Sequence, residues 1–391
     1  MTQQEKDALF VLTRYAMGID KDIPETQKEN IINAIPVLYK ESKRHDIAHI
    51  VAAALFNKGF ISPENPYYEK FKQLQITAIF RETRLSHDLA EICNALETAH
   101  IPFLPLKGSV IRDYYPERWM RTSSDIDILV KPQDLKKTIS YLIDERGYTY
   151  TSNHVHHVSL VSKNHTHIEI HHVLLEENTG NDANIVLGNI WDLAETKEGY
   201  SYWHEMKDEH FYLYHIAHAG KHVVNGGCGI KPILDLWILQ NKVSYDSKAR
   251  AELIKIANLA AFESICQELC EAWFNKGEIK RKETVILENY IISGGVHGTP
   301  LNHLSVQQQK RGGKFGYAKM VLFPPYEVMS KLFPILQKHK WLTFFFYFVR
   351  FFLSIFKGTA PKIIRILRVS SQSPKKVDEG VLFLLEKTEL K

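Results

Sequence analysis

The chain has 391 residues, 45% hydrophobic, 24% charged and 11% aromatic, which excludes a disordered, collagen-like or low-complexity protein. Its 49 basic and 45 acidic residues leave a formal charge of only +4. A protein whose task is to coat nucleic acid needs a larger positive excess, because its affinity comes from neutralised phosphates, so nucleic acid is not a favoured partner.

The length suits two or three domains. Cys93, Cys228, Cys266 and Cys270 are too few and too scattered for a disulfide framework, and Cys266 and Cys270 read as small core residues of one helix. The stretch from Met1 to Leu9 is polar and charged, without the pattern of a signal peptide, so a reducing cytoplasm is the expected setting.

In chain order, residues 1–98 read as an N-terminal helical region, from the spacing of apolar residues in IINAIPVLYKES and HIVAAALFNKG. A long helix is predicted from about Tyr67 to His100, its apolar face at Leu74, Ile76, Ile79, Leu85, Leu89, Ile92 and Leu96. At Ile101 the pattern changes. IPFLPLKG reads as a short strand whose prolines suit incomplete ladder pairing, and GSVIRDYYP as a turn and short helix. DIDILV, Asp125 to Val130, alternates with period two, as a half-buried strand does. PQDLKKTISYLIDERG follows as a helix, with Pro132 in its first turn and Gly147 at its end. HHVSLVS and HTHIEIHH then alternate on either side of Lys163 and Asn164, the pattern of a β-hairpin. Residues 99–180 are thus expected to form a compact βαβαββ-like core.

Residues 181–369 read as a C-terminal helical domain, with helices at EHFYLYHIAHAGKHVV, KPILDLWILQNK and Ala251 to Lys276. Ile292 to Gly316, rich in Gly, Gln and Ser, reads as a mobile or irregular connection, and 370–391 as a loose tail. Trp341 to Phe356, WLTFFFYFVRFFLSIF, is apolar on nearly every side. It is too short for a membrane span, which needs about 20 residues, so the preferred expectation is a buried helix. The alternative is a peripheral membrane contact through 341–369, supported by Lys338, Lys340 and Lys357 and by the basic run PKIIRILRV.

The chemistry concentrates around Asp125, Asp127 and Glu169. Asp125 and Asp127, two apart on a strand, leave the same face. Two convergent carboxylates suit Mg²⁺ (or Mn²⁺), which takes few protein ligands and leaves positions for phosphate oxygens. Glu169, central in another alternating strand, completes a metal position or serves as a base. Gly108 and Ser109 sit at a strand-to-helix turn suited to a triphosphate. Lys107 reads equally as a phosphate contact or a surface lysine, and Arg121 as a phosphate ligand or a bidentate partner of Asp125, ahead of a structural salt bridge.

This arrangement resembles the nucleotidyltransferase superfamily of the polymerase-β type: a Gly-Ser turn, then Asp-x-Asp on a strand, then a third carboxylate. More narrowly it is similar to a bacterial family of uncharacterised nucleotidyltransferases, at Leu106-Lys107-Gly108, Arg121, Asp125-Ile126-Asp127-Ile128-Leu129-Val130 and Glu169-Ile170-His171. HIAHAGKH (His215 to His222) and ILDLW (Ile233 to Trp237) extend the likeness, which covers about Phe71 to Lys357. It implies an α+β fold, a small mixed β-sheet nucleotidyltransferase core flanked by N- and C-terminal helical regions. It also implies metal-dependent transfer of NMP from an NTP such as ATP to an acceptor, with release of pyrophosphate. The acceptor (a small molecule, glycan precursor or protein) is not named by the sequence.

His171 matches the family strand and is expected to contact substrate or hold Glu169. His218 and His222, four apart on a helix with Ala219 where a zinc peptidase has its glutamate, are read as cleft-lining or as buried structural histidines. Asp235 is read as a paired core aspartate or an acceptor-orienting group. Seven histidines between 154 and 172 raise a zinc alternative through His165, His167, His171 and His172, and with it a His-rich metallohydrolase. A catalytically silent nucleotide-binding or regulatory protein is the remaining alternative.

Overall fold

The computed structural model describes residues 1–175, 180–309, 311–356 and 375–390. Four helices open the chain: α1 (Gln3–Ala16), α2 (Lys28–Arg44), α3 (Ala48–Asn57) and α4 (Tyr68–Thr98). A capping box starts α1, Thr2 accepting from the Glu5 amide while the Glu5 side chain accepts from the Thr2 amide. On α4 only the second half of the apolar face is buried: Leu85, Leu89, Ile92 and Leu96 are inside, while Ile76 and Ile79 are exposed.

The sheet has five strands: β1 (Phe103–Pro105), β2 (Asp125–Val130), β3 (Thr149–Asn153), β4 (His157–Val161) and β5 (His167–His171). Their spatial order is β1-β2-β5-β4-β3, with β2 and β5 parallel and every other pair antiparallel. Short helices α5 (Gly108–Ile111) and α6 (Leu135–Asp144) connect β1 to β2 and β2 to β3. The expected βαβαββ unit therefore gains a strand. β3 was hidden because TYTSN is mostly polar and lies exposed at the sheet edge, where only one neighbour constrains it. Pro105 sits in β1, the opposite edge, where a missing amide costs least.

Alternation gives the sheet two different faces. Ile126, Ile128, Val130, Ile168, Ile170, Val158 and Leu160 pack with Leu85, Leu89, Ile92 and Leu96 of α4 and Leu142 of α6 in one apolar cluster. The other face carries Asp125, Asp127, Glu169, His171 and His157.

Helices return with α7 (Asn184–Leu187), α8 (Ile190–Leu193), α9 (Asp208–Val224), α10 (Ile230–Lys242), α11 (Ser247–Ile256), α12 (Ala260–Phe274) and α13 (Lys282–Gly294). The single run expected from Ala251 to Lys276 is broken between α11 and α12, where Asn258 takes a left-handed backbone (φ 55°). All four cysteines are free and buried. One continuous core joins α1–α3 to α9, α10 and α12, so the helical regions before and after the sheet are packed together.

The connection expected at 292–316 contains the whole of α14 (Pro300–Gln309) and the start of α15 (Gly313–Leu322). Leu304 and Val306 are buried, and these two apolar positions anchor a helix that its Gly- and Gln-rich surroundings disguise. The tail expected to be loose holds a helix, Lys375–Thr388, packed on α12, α13 and α14 with Leu384 fully buried. After α16 (Tyr326–Leu332) and α17 (Ile335–Lys338), α18 (Thr343–Phe356) corrects a third expectation. It is not a buried helix: Phe344, Phe345, Phe348, Phe351 and Phe352 are 54–71% exposed. Lys357 and the run 361–369 lie outside the described residues. Among the described residues no helix is long and apolar enough to cross a membrane.

Candidate active site

Parallel pairing of β2 with β5 sets Asp127 directly beside Glu169 and Asp125 beside His167. In a parallel ladder, paired residues project to the same side, so Asp127 and Glu169 share a face with Asp125 two residues earlier. The Leu106 amide donates to the Asp127 carbonyl at 3.0 Å, which fixes the Lys107 turn over the same face. Lys107 itself has a left-handed backbone (φ 47°), uncommon for a residue with a side chain and a mark of local strain.

That turn delivers Lys107 Nζ to Asp127 Oδ1 at 2.7 Å. The ammonium is largely shielded and pairs with a carboxylate, so Lys107 is not a free surface lysine. From the other side, His171 Nε2 lies 2.8 Å from Asp127 Oδ1 and 3.2 Å from Glu169 Oε2. Burial works against the charge on Asp127, but Lys107 and His171 outweigh it and hold its carboxyl below the usual range. His171 is itself raised: burial opposes its imidazolium, and the bonds to Asp127 and Glu169 overcome that. The His171 bond, against the cost of burial, also lowers Glu169.

Asp125 behaves differently. No described side chain hydrogen-bonds its carboxylate, and burial and the neighbouring Asp127 charge raise its pKa, with Lys107 only partly compensating. A half-buried carboxylate pressed against two others is the electrostatic condition that a divalent cation relieves. Three carboxylates on one strand face are oxygen donors of the kind that a hard divalent cation takes. Among the described residues, the grouping whose ligand atoms lie within 4.8 Å of one another is His157, Glu169 and His171. Of the four histidines considered for zinc, only His171 takes part; its companion is His157, brought opposite by the β4–β5 register. That register was readable from the hairpin, and with it His157.

Gly108 and Ser109 open α5. A Cβ on Gly108 would come within 3.1 Å of Ser123 Cβ, so a side chain here would push on Ser123. Ser109 Oγ is buried without a hydrogen-bond partner. An orphaned hydroxyl facing a turn of this kind is a donor in want of an acceptor.

Arg121 does not pair with Asp125. Its guanidinium grips Asp235 of α10 in a two-pronged bridge, Nε to Oδ1 at 2.7 Å and Nη2 to Oδ2 at 2.8 Å, and Tyr115 adds its hydroxyl to Oδ1 at 2.7 Å. Asp235 is thus the paired core aspartate of the two readings. Lys231, also on α10, reaches Asp46 and the Thr122 carbonyl. Nothing in the local sequence signals these partners, which lie more than a hundred residues apart.

Between the sheet and α9 and α10 lies a cleft of about 140 Å³, lined by Lys107, Arg121, Lys231, His215, His218 and His222 among others. His218 and His222 meet edge to face, with ring centroids 4.6 Å apart. Burial keeps this histidine set neutral, His215 and His222 at about 4 and His218 well below its ordinary value. His215 Nε2 has no partner. The cleft joins the carboxylate face through Lys107, which borders both. It is smaller than a typical ligand pocket of roughly 300–1,000 Å³.

Three carboxylates thus share a strand face beside a Gly-Ser turn, and a cleft lined by Lys107, Arg121, Lys231 and Asp235 adjoins them. The chain belongs to a family of uncharacterised nucleotidyltransferases, whose model matches residues 34–275. No curated protein and no solved structure matches it.

Proposed function

We propose that the protein transfers a nucleoside monophosphate from an NTP, ATP included, to an acceptor nucleophile, with a divalent cation held by Asp125, Asp127 and Glu169. The observation that carries this is the β2–β5 register, which pairs Asp127 with Glu169 and leaves Asp125 raised and without a side-chain partner beside them. An Mg²⁺ or Mn²⁺ ion held by these carboxylates would supply neutralisation of phosphate charge. The residues of the chain position the reactants. Ser109 Oγ and the Gly108 turn donate to phosphate oxygens, and the cleft of Lys107, Arg121, Lys231, His218 and His222 takes further phosphate. An acceptor hydroxyl forms the new O–Pα bond as the bond from Pα to the bridging oxygen breaks, and pyrophosphate leaves with that electron pair. Glu169 is lowered, which suits it better as a ligand than as a base. His157, lowered by burial and 3.6 Å from Glu169 Oε1, is neutral near pH 7 and takes the hydroxyl proton.

The silent nucleotide-binding reading draws on one observation, that Asp127 Oδ1 is already occupied by Lys107 and His171. Incubation with each labelled NTP and Mg²⁺ in cell extract separates the two. Labelled product and pyrophosphate, both abolished in Asp127→Asn with the circular dichroism unchanged, support transfer. Calorimetric NTP·Mg²⁺ binding without pyrophosphate release supports the silent reading, and zinc retained stoichiometrically through dialysis supports a hydrolase.

A further inference from the structure

On a surface helix of a globular protein, the apolar stripe faces the core and the polar face meets water. Helix α18 is the reverse. Its outward side carries Phe344, Phe345, Phe348, Phe351 and Phe352, continued by Trp341 at 78% exposure. Its inward side carries the polar groups: the Tyr347 hydroxyl donates to the Pro324 carbonyl at 2.8 Å, and Arg350 donates to the carbonyls of Val321 and Leu322 at 3.2 Å. Phe346 packs inward against Phe333, their rings tilted with centroids 4.9 Å apart, which anchors the helix to the preceding segment. Exposed Phe315, Phe323, Leu332 and Ile335 extend the apolar surface. Six aromatic rings more than half exposed amount to on the order of 700 Å², beyond the few hundred a soluble monomer leaves open.

Charge identifies the occupant. Residues 311–356 hold seven of the chain's 49 basic residues and one of its 45 acidic residues, Glu327. A second copy of the chain would bring this basic surface against itself. A neutral apolar partner would leave the lysines without a role. An anionic bilayer satisfies both properties, rings in the acyl boundary and lysines at the headgroups. The helix, 14 residues and therefore about 21 Å long, cannot cross a hydrocarbon layer of about 30 Å and would lie along it.

We infer that α18 and the basic segment around it form a docking face for an anionic lipid bilayer. The test is flotation of the full chain with vesicles of phosphatidylcholine alone or with phosphatidylglycerol added. Binding is expected on the anionic vesicles, weakened by high salt, and reduced at least tenfold in the triple variant Phe344→Ser/Phe348→Ser/Phe351→Ser, whose positions are exposed and whose circular dichroism should not change. Lys338→Glu/Lys340→Glu should lower binding without touching the aromatic face, each lysine being worth roughly fivefold. Absence of binding to either vesicle overturns the inference. So does equal binding by wild type and triple variant, a concentration-dependent dimer that the triple variant abolishes, or retention on RNA in place of vesicles.

Discussion

Replacing Asp235 with alanine removes the acceptor for three donors: Arg121 Nε, Arg121 Nη2 and the Tyr115 hydroxyl. Both side chains of the ion pair are largely buried, Arg121 at 14% exposure and Asp235 at 5%. What remains for the guanidinium is one bond, to the Thr122 carbonyl. Breaking a buried pair by deleting one partner typically costs about 3–5 kcal/mol, because a charge is left inside without compensation. Asp235→Asn keeps an acceptor oxygen and the volume, and should cost about half as much, on the order of 2 kcal/mol. Removing both charges with Arg121→Leu/Asp235→Leu should recover much of the loss, since the desolvation cost disappears with the charges. Urea unfolding followed by circular dichroism and tryptophan fluorescence reads these values from the midpoint and slope. A loss below about 1 kcal/mol for Asp235→Ala would falsify the idea that this bridge ties α10 to the core.

Acid should destabilise the fold in a defined window. Burial holds His45, His49, His215 and His222 at about 4, below the ordinary 6.5, so the unfolded chain takes up protons first as pH falls. Stability is full above pH 6.5 and drains towards pH 4, each histidine contributing up to about 1.4 kcal/mol per pH unit; a urea midpoint that stays flat from pH 7 to 5 would contradict this. His171 runs the other way: its contribution is complete below pH 6.5 and is lost as pH rises through its raised value, so His171→Gln should flatten any alkaline decline. Lys107→Met removes a cation from Asp127 and from the border of the cleft, and labelled-NTP turnover should fall by roughly a hundredfold, as for loss of one transition-state donor; unchanged turnover would remove Lys107 from the chemistry.

Much of this molecule is local and was legible as such. Period-two alternation in DIDILV and HTHIEIHH assigns Asp125, Asp127, Glu169 and His171 to one side of their strands before any partner is known, because side-chain direction in a strand depends only on the strand. The helices on either side follow from 3.6-residue spacing for the same reason. What tertiary structure alone decided concerns partners and surroundings. Whether Asp127 stands beside Glu169 depends on the parallel register reached through α6 and the hairpin. Of the readings open for Arg121, the structure shows a salt bridge, and its partner is Asp235, 114 residues away, because packing carries α10 against the turn before β2. Lys107 joins Asp127 through a strained turn that no propensity would propose. The aromatic run at 341–356 shows the limit most plainly. Hydrophobicity is a property of residues and reads from the sequence, whereas exposure is a property of what lies opposite. For the outward face of α18, the described chain places nothing there.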